Sequence, residues 1–316
     1  MDDRTLRGDG PPLQVDNTML SKFVTCKRSL YWFLRGLDYK SAPPYFTYGR
    51  AFGVAANVWH KRNRDKDVKG RLVDAILAAQ ELWDKECPIE DATNNWPGFK
   101  DLFLAYTVNY GANEPWDMTY GEGEKGFQLP LPGAPSGVMF CGSLDAPIMW
   151  KPHGLMVRED KTTGAWVNPS YMEQWDFSTQ PTGYQWAMQT VAGECAGVYM
   201  NVAGKKPRKE KELRFGRYLV QHDEQQLDRW VEETIRAVEE LWKEWDGSFE
   251  TPPWNWDKTG MRNPMNCTGG MGRSPCLYRN ICKLGVEPWE IEGYDFEQEF
   301  HWREKKWQPW ERDGED

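Results

Sequence analysis

The chain has 316 residues, of which 40% are hydrophobic, so it is long enough for one large domain, or one domain with an appended lobe, around a sizeable core. It contains no run of about 18 apolar residues and no basic-then-apolar secretory pattern at its start, so we expect a cytoplasmic protein without a membrane span. The net charge of −9 argues against a nonspecific nucleic-acid coat protein, but it does not exclude a nuclease, because local charge matters more than the total.

The sequence pattern of the first third of the chain is typical of helices. Residues 1–18 are polar and rich in proline and glycine, which predicts a flexible arm. Apolar residues at helical spacing then predict four helices, at 19–37, 51–64, 71–86 and 96–110.

After residue 125 the pattern changes to strands, which we predict at 126–131, 138–150 and 155–161. The turn sequence Lys151-Pro-His-Gly154 joins the last two into a hairpin. Ser178 or Thr179 is placed to cap a helix that runs to about residue 191.

The rest of the pattern completes the expected architecture. Strands near 198–203 and 213–221 precede a long helix at 224–245, and a charged tail at 286–316 is mobile or an interaction surface. This order of elements predicts an α/β fold in which helices flank a mixed sheet.

The hairpin carries the candidate chemistry. Its turn places Asp145 opposite Glu159 within about one residue, and strand alternation places Glu159 and Lys161 on one face. Two carboxylates so close repel unless a divalent cation lies between them, and Mg²⁺ or Mn²⁺ prefers oxygen ligands. We therefore predict a metal site made by Asp145, Glu159 and the backbone carbonyl of Asp160, with Lys161 holding the attacking water. The alternative is a solvated salt bridge on a hairpin.

Gln180 and Tyr184, four residues apart, lie on one face of the predicted helix. They either line the metal site as a polar pair or mark an ordinary helix start with one core tyrosine. Most of the 18 tryptophans are expected in the core, with some available to stack bases in a single-strand channel.

Five motifs in this order resemble the PD-(D/E)XK nuclease superfamily, in particular RecB-like and CRISPR-associated exonucleases that carry an iron–sulfur cluster. The matching segments are Gly142-Ser-Leu-Asp145, Glu159-Asp-Lys161-Thr-Thr, Gln180-Pro-Thr-Gly-Tyr184, Ser21 to Tyr31 around Cys26, and Cys276 to Cys282. The resemblance covers roughly residues 19–285 and implies a restriction-endonuclease-like core with the cysteine segment at 263–285. It implies that Asp145 and Glu159 bind the metal, that Lys161 is catalytic, and that Gln180 and Tyr184 support the site.

The sequence departs from the family at an early helix. Where the family has a glycine followed four residues later by a metal-binding histidine, this chain has Gly49 and then Gly53. His60 lies seven residues after Gly53 on nearly the same helix face and is a candidate to reach the site, or it is a surface residue at a helix end. Leu144 replaces the proline that usually precedes the aspartate.

Four cysteines, Cys26, Cys267, Cys276 and Cys282, form the second candidate centre. Without a secretory signal they favour metal or cluster ligation over disulfides. Four thiolates suit a 4Fe-4S cluster that would join the two ends of the chain, and the resemblance implies the same group. A zinc ion, which also takes four thiolates, and free structural thiols are the alternatives.

Together these observations predict a metal-dependent DNA exonuclease that acts on single strands or on DNA ends in recombination, repair or replication. A recombination or replication protein is an expected partner, and a bacteriophage, hence a host cytoplasm, is a source that fits the resemblance. The alternative is a catalytically weak nuclease fold that serves as a DNA-binding or assembly subunit, which Gly53 favours and the intact Glu159-x-Lys161 opposes.

Overall fold

The computed structural model describes residues 14–34, 36–40, 43–61, 67–86, 88–111, 114, 124–135, 137–206, 214–244, 267–269, 275–284, 295–303 and 308–311. It is a mixed α/β protein whose chain divides into two compact units. The first unit takes Met1–Ser41, Gln128–Cys141 and Val231–Pro309, and the second takes Ala42–Phe127, Gly142–Trp230 and Trp310–Asp316. None of the described helices is long and apolar enough to cross a membrane.

The first unit joins early and late parts of the chain. Its elements are β1 (Gln14–Val15), α1 (Asn17–Thr25), α2 (Lys27–Leu34), β2 (Leu37–Tyr39), α9 (Arg279–Leu284), α10 (Phe296–Glu299) and β9 (Phe300–Trp302). Strands β2 and β9 pair antiparallel, with Leu37 opposite Trp302, and buried side chains from both ends of the sequence share one core. Part of the segment expected to be a charged tail is therefore a strand.

The helix predicted at 19–37 is two helices, because Cys26 adopts an extended conformation (φ −164°) between α1 and α2. The described residues also include the end of the predicted arm, which forms a strand. Strand β1 pairs parallel to β4 (Met139–Leu144), and the Asp16 side chain caps α1 by accepting a 2.7 Å hydrogen bond from the Met19 amide.

The second unit has three long helices, α3 (Pro44–His60), α4 (Val68–Glu86) and α5 (Trp96–Tyr110). Small residues on α3 and α4, among them Ala55 and Ala79, are fully buried where these helices pack. On α5, Trp96, Phe99 and Phe103 follow at helical spacing, and each ring stacks nearly parallel on the next, at 13° and 9°. These helices share one core of buried side chains.

The sheet of the second unit has the order β5-β6-β7-β8. Its strands are β5 (Ala146–Trp150), β6 (Gly154–Thr163), β7 (Val198–Gly204) and β8 (Phe215–Val220). Only the β6–β7 pair is parallel, and α6 (Pro169–Glu173), a 3-10 turn (Gln174–Phe177) and α7 (Thr179–Ala192) connect these two strands. The last long helix, α8 (Glu224–Glu244), follows β8.

The strand predicted at 138–150 is broken at Asp145. The part before the break, β4, belongs to a three-stranded sheet of order β1-β4-β3, where β3 is Lys125–Pro130. The part after it, β5, pairs with β6. A continuous run of strand-forming residues hid this change of sheet from sequence reasoning.

The register divides the β6–β8 surface into two faces. Glu159 lies beside Met200 and Tyr218, and Lys161 lies beside Val202 and Gly216, on what we call the carboxylate face. Arg158, Asp160, Asn201 and Arg217 lie on the opposite face. Contacts of Gln180 with Glu159 place α7 on the carboxylate face, and contacts of Asn57 with Arg158 place α3 on the opposite face.

Two glycines of the second unit test this packing. A Cβ added at Gly216 would lie 2.6 Å from Val167 Cγ1 and 2.9 Å from Met172 Sδ, whereas one added at Gly53 meets no described atom within 4 Å beyond its own helix. We expect Gly216→Ala to lower the free energy of unfolding by about 1–3 kcal/mol through overpacking. We expect Gly53→Ala to raise it by about 0.5–1 kcal/mol, because alanine favours a helix interior. Denaturant unfolding measures both, and a stable Gly216→Ala protein would contradict the packing described.

Candidate active site

Asp145 is held against β6 by its own carboxylate. The β5–β6 ladder ends with Ala146 opposite Arg158, so Asp145 comes next to Glu159, as the predicted hairpin requires. Its Oδ2 accepts a 2.7 Å hydrogen bond from the Asp160 amide, and its backbone carbonyl is 3.4 Å from Asn57 Nδ2. The aspartate therefore sits at the bend in the chain, fixed from two sides.

Glu159 is the centre of the site. Its Oε1 accepts hydrogen bonds from Lys161 Nζ and, at 2.9 Å, from Gln180 Nε2, which is also 3.0 Å from the Tyr184 hydroxyl. Glu159 is only 2% exposed, and among the described residues its Oε2 has no hydrogen-bond partner. The Lys161 side chain keeps 27% of its surface exposed, so the site opens to solvent at the lysine.

The site brings charges together in a buried place. Burial, and then the neighbouring Glu159 charge, raise the pKa of Asp145 well above its ordinary value, and burial also raises the pKa of Glu159. Burial acts to lower the pKa of Lys161, but the Glu159 and Asp145 carboxylates outweigh it and raise that pKa. Lys161 therefore stays cationic at neutral pH. Its single positive charge cannot balance the negative charges of two ionised carboxylates.

The donor set fits a divalent cation. A carboxylate oxygen that is buried without a partner, beside a second carboxylate, is an arrangement that a cation would stabilise. Within the described residues no three His, Cys, Asp or Glu side chains are arranged to hold one ion, so water, a backbone oxygen or the substrate would complete the coordination. The side chain of Asp160 points to the opposite face, which leaves only its backbone for the predicted ligand role.

A buried polar network lies behind the site and was missed by sequence reasoning. Arg158 donates to Asp160 Oδ2 at 2.9 Å and to Asn57 Oδ1 at 2.5 Å, and Asn201 Nδ2 donates to Asp160 Oδ1 at 2.6 Å. Arg158 and Asn201 are fully buried. The signal in the sequence was Arg158 and Asp160 alternating with Glu159 and Lys161, which makes both faces of one strand polar.

His60 belongs to that network and not to the carboxylate pair. It is buried, with Nε2 2.8 Å from the Tyr106 hydroxyl and Nδ1 3.6 Å from Glu114. Burial, and then the charges of Arg158 and Arg217, lower its pKa well below the ordinary value, so the ring is neutral. The structure thus places the candidate histidine behind the sheet.

The four candidate cysteines lie in the first unit. The Cys276 amide donates to the Cys267 carbonyl at 3.3 Å, and Cys276 and Cys282 pack against the same core as α1 and α2. Burial raises the pKa of Cys282 to about 11, and the charges of Cys276, Cys26 and Cys267 also raise it. The four thiols therefore lie in one region of the first unit, although no three of the described cysteine side chains are arranged to hold one ion.

Lys22 is a half-buried cation near these thiols. Its Nζ is 5.4 Å from the centre of the Phe33 ring and 5.7 Å from that of Tyr278, and it is 3.3 Å from Ser29 Oγ. Burial lowers its pKa, whereas the charges of Cys276 and Cys26 raise it. An ammonium group favours thiolates next to it.

Comparisons with known proteins do not assign this chain to a family. No protein-family model matches the chain, and no curated protein matches it. A crystal structure of the protein SSO0001 aligns at 15% identity over 89% of this chain and 91% of its own, with a TM-score of 0.33. The crystal structure of a protein from Eubacterium rectale, provisionally named an exonuclease, aligns at 12% identity over 82% and 94%, with a TM-score of 0.43. Scores below 0.5 establish neither a fold family nor an activity for this chain.

The raised carboxyl pKa values predict how stability depends on pH. Since the folded protein holds protons on Asp145 and Glu159 that the unfolded chain releases, its free energy of unfolding increases as the pH falls through the raised pKa values. The increase in the free energy of unfolding is complete at about pH 4, which is the ordinary pKa of these carboxyl groups in the unfolded chain. It amounts to at most about 1.4 kcal/mol per pH unit for each proton. We expect this rise in chelator, measured by denaturant titration as the pH is lowered from neutral towards the pKa values of the unfolded chain. The Asp145→Asn, Glu159→Gln double variant should lack it and keep the opposite slope of His60, whose lowered pKa makes acid destabilising; a slope in that variant equal to that of the wild-type protein would place its origin elsewhere.

Proposed function

We propose that the chain is a metal-dependent deoxyribonuclease, an exonuclease that hydrolyses single strands or DNA ends. The observation that carries this proposal is the buried Glu159 Oε2, which accepts no hydrogen bond from a described nitrogen or hydroxyl donor and lies beside the Asp145 carboxyl group, with Lys161 on the same face. A salt bridge formed only for stability has no need of a second carboxylate beside the buried one. Burying one costs several kcal/mol unless a cation or a proton compensates it.

Asp145 and Glu159 would hold Mg²⁺ or Mn²⁺, with the Asp160 carbonyl as a further oxygen ligand. The bound cation would polarise the scissile phosphate and lower the pKa of its water. Lys161, which stays protonated, donates hydrogen bonds and positive charge to the attacking water or to a phosphate oxygen rather than accepting a proton. In the reaction the attacking water would lose one proton to solvent water as its oxygen bonds to phosphorus, the bond to the leaving sugar oxygen would break, and that oxygen would take a proton from solvent water, so that one water molecule is consumed.

Gln180 and Tyr184 support the site by holding one carboxylate in place. Gln180 Nε2 spans Glu159 Oε1 and the Tyr184 hydroxyl, so it fixes the orientation of Glu159 and leaves Oε2 for a cation. Tyr184 is buried and packs edge-on against Phe127, at 6.2 Å between ring centres, which fixes its hydroxyl in turn. Ligands oriented in this way are the common design of metal sites.

We further propose that Cys26, Cys267, Cys276 and Cys282 hold a 4Fe-4S cluster with a structural role. A cluster with four thiolates is anionic, and Lys22 offers it a half-buried positive charge between aromatic rings. Zinc on the same thiolates is the rival, because it has the same preference for sulfur. The two differ in colour and metal content.

A catalytically weak subunit that binds DNA, or assembles with a recombination or replication protein, is the second candidate function. Gly53 favours it. Gly53 lies one turn before Asn57 on α3, has open space around it, and has no side chain that could bind a metal ion.

The first test is digestion of end-labelled single- and double-stranded DNA by anaerobically purified protein. We expect cleavage with Mg²⁺ or Mn²⁺, none with chelator, and a loss of at least about a hundredfold in Glu159→Ala and Lys161→Met, since each removes a group that acts on the transition state. Glu233→Ala, an exposed glutamate on α8, is the control that should cleave normally. Folded protein that binds DNA but cleaves none would support the weak subunit instead.

The second test concerns the cluster. Cys276→Ser protein should lose the brown colour and bound iron and unfold at a lower denaturant concentration, because metal binding and folding are coupled. Cys195→Ser, which changes a half-buried thiol of the second unit, should keep both. Metal analysis that finds zinc and no iron in the wild-type protein would overturn the iron–sulfur assignment, and so would a brown, fully stable Cys276→Ser protein.

A further inference from the structure

Residues 164–178, which we call the connector, join the strand that carries Lys161 to the helix that carries Gln180. The connector is fixed to the carboxylate face of the sheet. Val167 and Met172 are buried against Gly216, and the Tyr218 hydroxyl donates a 2.5 Å hydrogen bond to Asp176. Gly216 and Tyr218 share the face of Glu159 and Lys161, so the connector lies beside the site.

Two large aromatic side chains of this anchored connector stay exposed. Phe177 is 89% exposed and Trp166 is 57% exposed. Full burial of a phenylalanine stabilises a protein by about 1.5–3 kcal/mol, so Phe177 contributes almost nothing of this kind to the fold. The Phe177 ring, held in water on a fixed backbone, is instead available to a flat partner.

Both residues are within reach of the site. Phe177 is three residues before Gln180, so their Cα atoms are at most about 10 Å apart, and Trp166 is five residues after Lys161, at most about 17 Å away. Gln180 itself touches Glu159. The two residues thus lie at opposite ends of one connector, each a short stretch of chain from a residue of the site.

We propose that Phe177 and Trp166 form a base-stacking surface that holds unpaired nucleotides of the strand entering the site. The proposal rests on the proposed function and makes it specific, since it names unpaired nucleic acid as the substrate. Stacking needs the face of a base, which only an unpaired nucleotide or a frayed end presents, and every base has such a face. The acidic residues Glu173 and Asp176 of the connector oppose attachment to an anionic lipid surface, which has no base face to offer.

Binding is tested apart from cleavage by placing each change in Glu159→Gln protein. The probes are a fluorescent single-stranded oligonucleotide with 2-aminopurine at its end, and the same sequence as a blunt duplex. Because stacking is worth about 1–3 kcal/mol per base, we expect Phe177→Ala and Trp166→Ala each to weaken single-strand binding by about 5- to 150-fold. Phe177→Tyr should retain it, and duplex binding should change little.

Val108→Ala is the matched control, because Val108 is 73% exposed on α5 in the same unit. Single-strand affinities of the two alanine variants equal to that of the control would overturn the inference, as would an equal loss for the duplex. A change of self-association on sedimentation without a change in binding would show that a second copy of the chain covers the rings, and it would overturn the inference as well.

Different results would overturn the stacking surface and the proposed nuclease function. If the wild-type protein cleaves single strands and the aromatic variants bind them normally, only the stacking surface is wrong. If the wild-type protein cleaves no DNA with either metal, the proposed function is wrong, and quenching of 2-aminopurine still reports whether Phe177 stacks on a base.

Discussion

The candidate site depends on the hydrogen bond from the Asp160 amide to the Asp145 carboxylate. It lies just beyond the end of the β5–β6 ladder, where the chain leaves one sheet and enters another. At the bend the Asp145 side-chain oxygen, rather than a backbone carbonyl, accepts the hydrogen bond from β6. Asp145 is therefore still bonded to β6, although the strand that precedes it, β4, belongs to another sheet. The second Asp145 oxygen then remains beside Glu159, and the distance between the two carboxylates is set by backbone geometry rather than by flexible side chains.

The Asp160 residue that donates this hydrogen bond is fixed by contacts of its side chain on the opposite face of β6. The side chain of Asp160 is fixed on the opposite face by Arg158 and Asn201, and Arg158 also binds Asn57. Burying a fully paired ion pair adds little net stability, but removing one partner costs about 3–5 kcal/mol, so such a network fixes geometry more than it stabilises the fold. The network and the reactive carboxylates use alternate residues of the same strand, which lets one face hold the other in place.

Much of this arrangement could be predicted from sequence, since it depends on local rules. The helix at 96–110, the hairpin register and the alternation of Glu159 and Lys161 follow from periodicity and turn chemistry, and the structure has them at the expected residues. The break at Asp145 and the extended Cys26 could not be predicted, because each is decided by which distant strand or helix the chain meets. His60 was misjudged for the same reason. Its helical spacing gave a face of α3, but only tertiary packing shows that this end of α3 meets Tyr106 and Glu114.

The site as it stands is electrostatically incomplete, and this separates the two interpretations of Asp145, Glu159 and Lys161 better than their spacing does. One lysine faces the buried Glu159 and the half-buried Asp145, Glu159 Oε2 accepts no hydrogen bond from a described donor, and burial raises the pKa of both carboxyl groups. A surface salt bridge would have relaxed into solvent, at little cost to the protein. Gln180, Tyr184 and the network behind the sheet prevent that relaxation. Structure that holds like charges together against their repulsion is typical of sites that bind a cation, and this constraint is the strongest reason to expect one here.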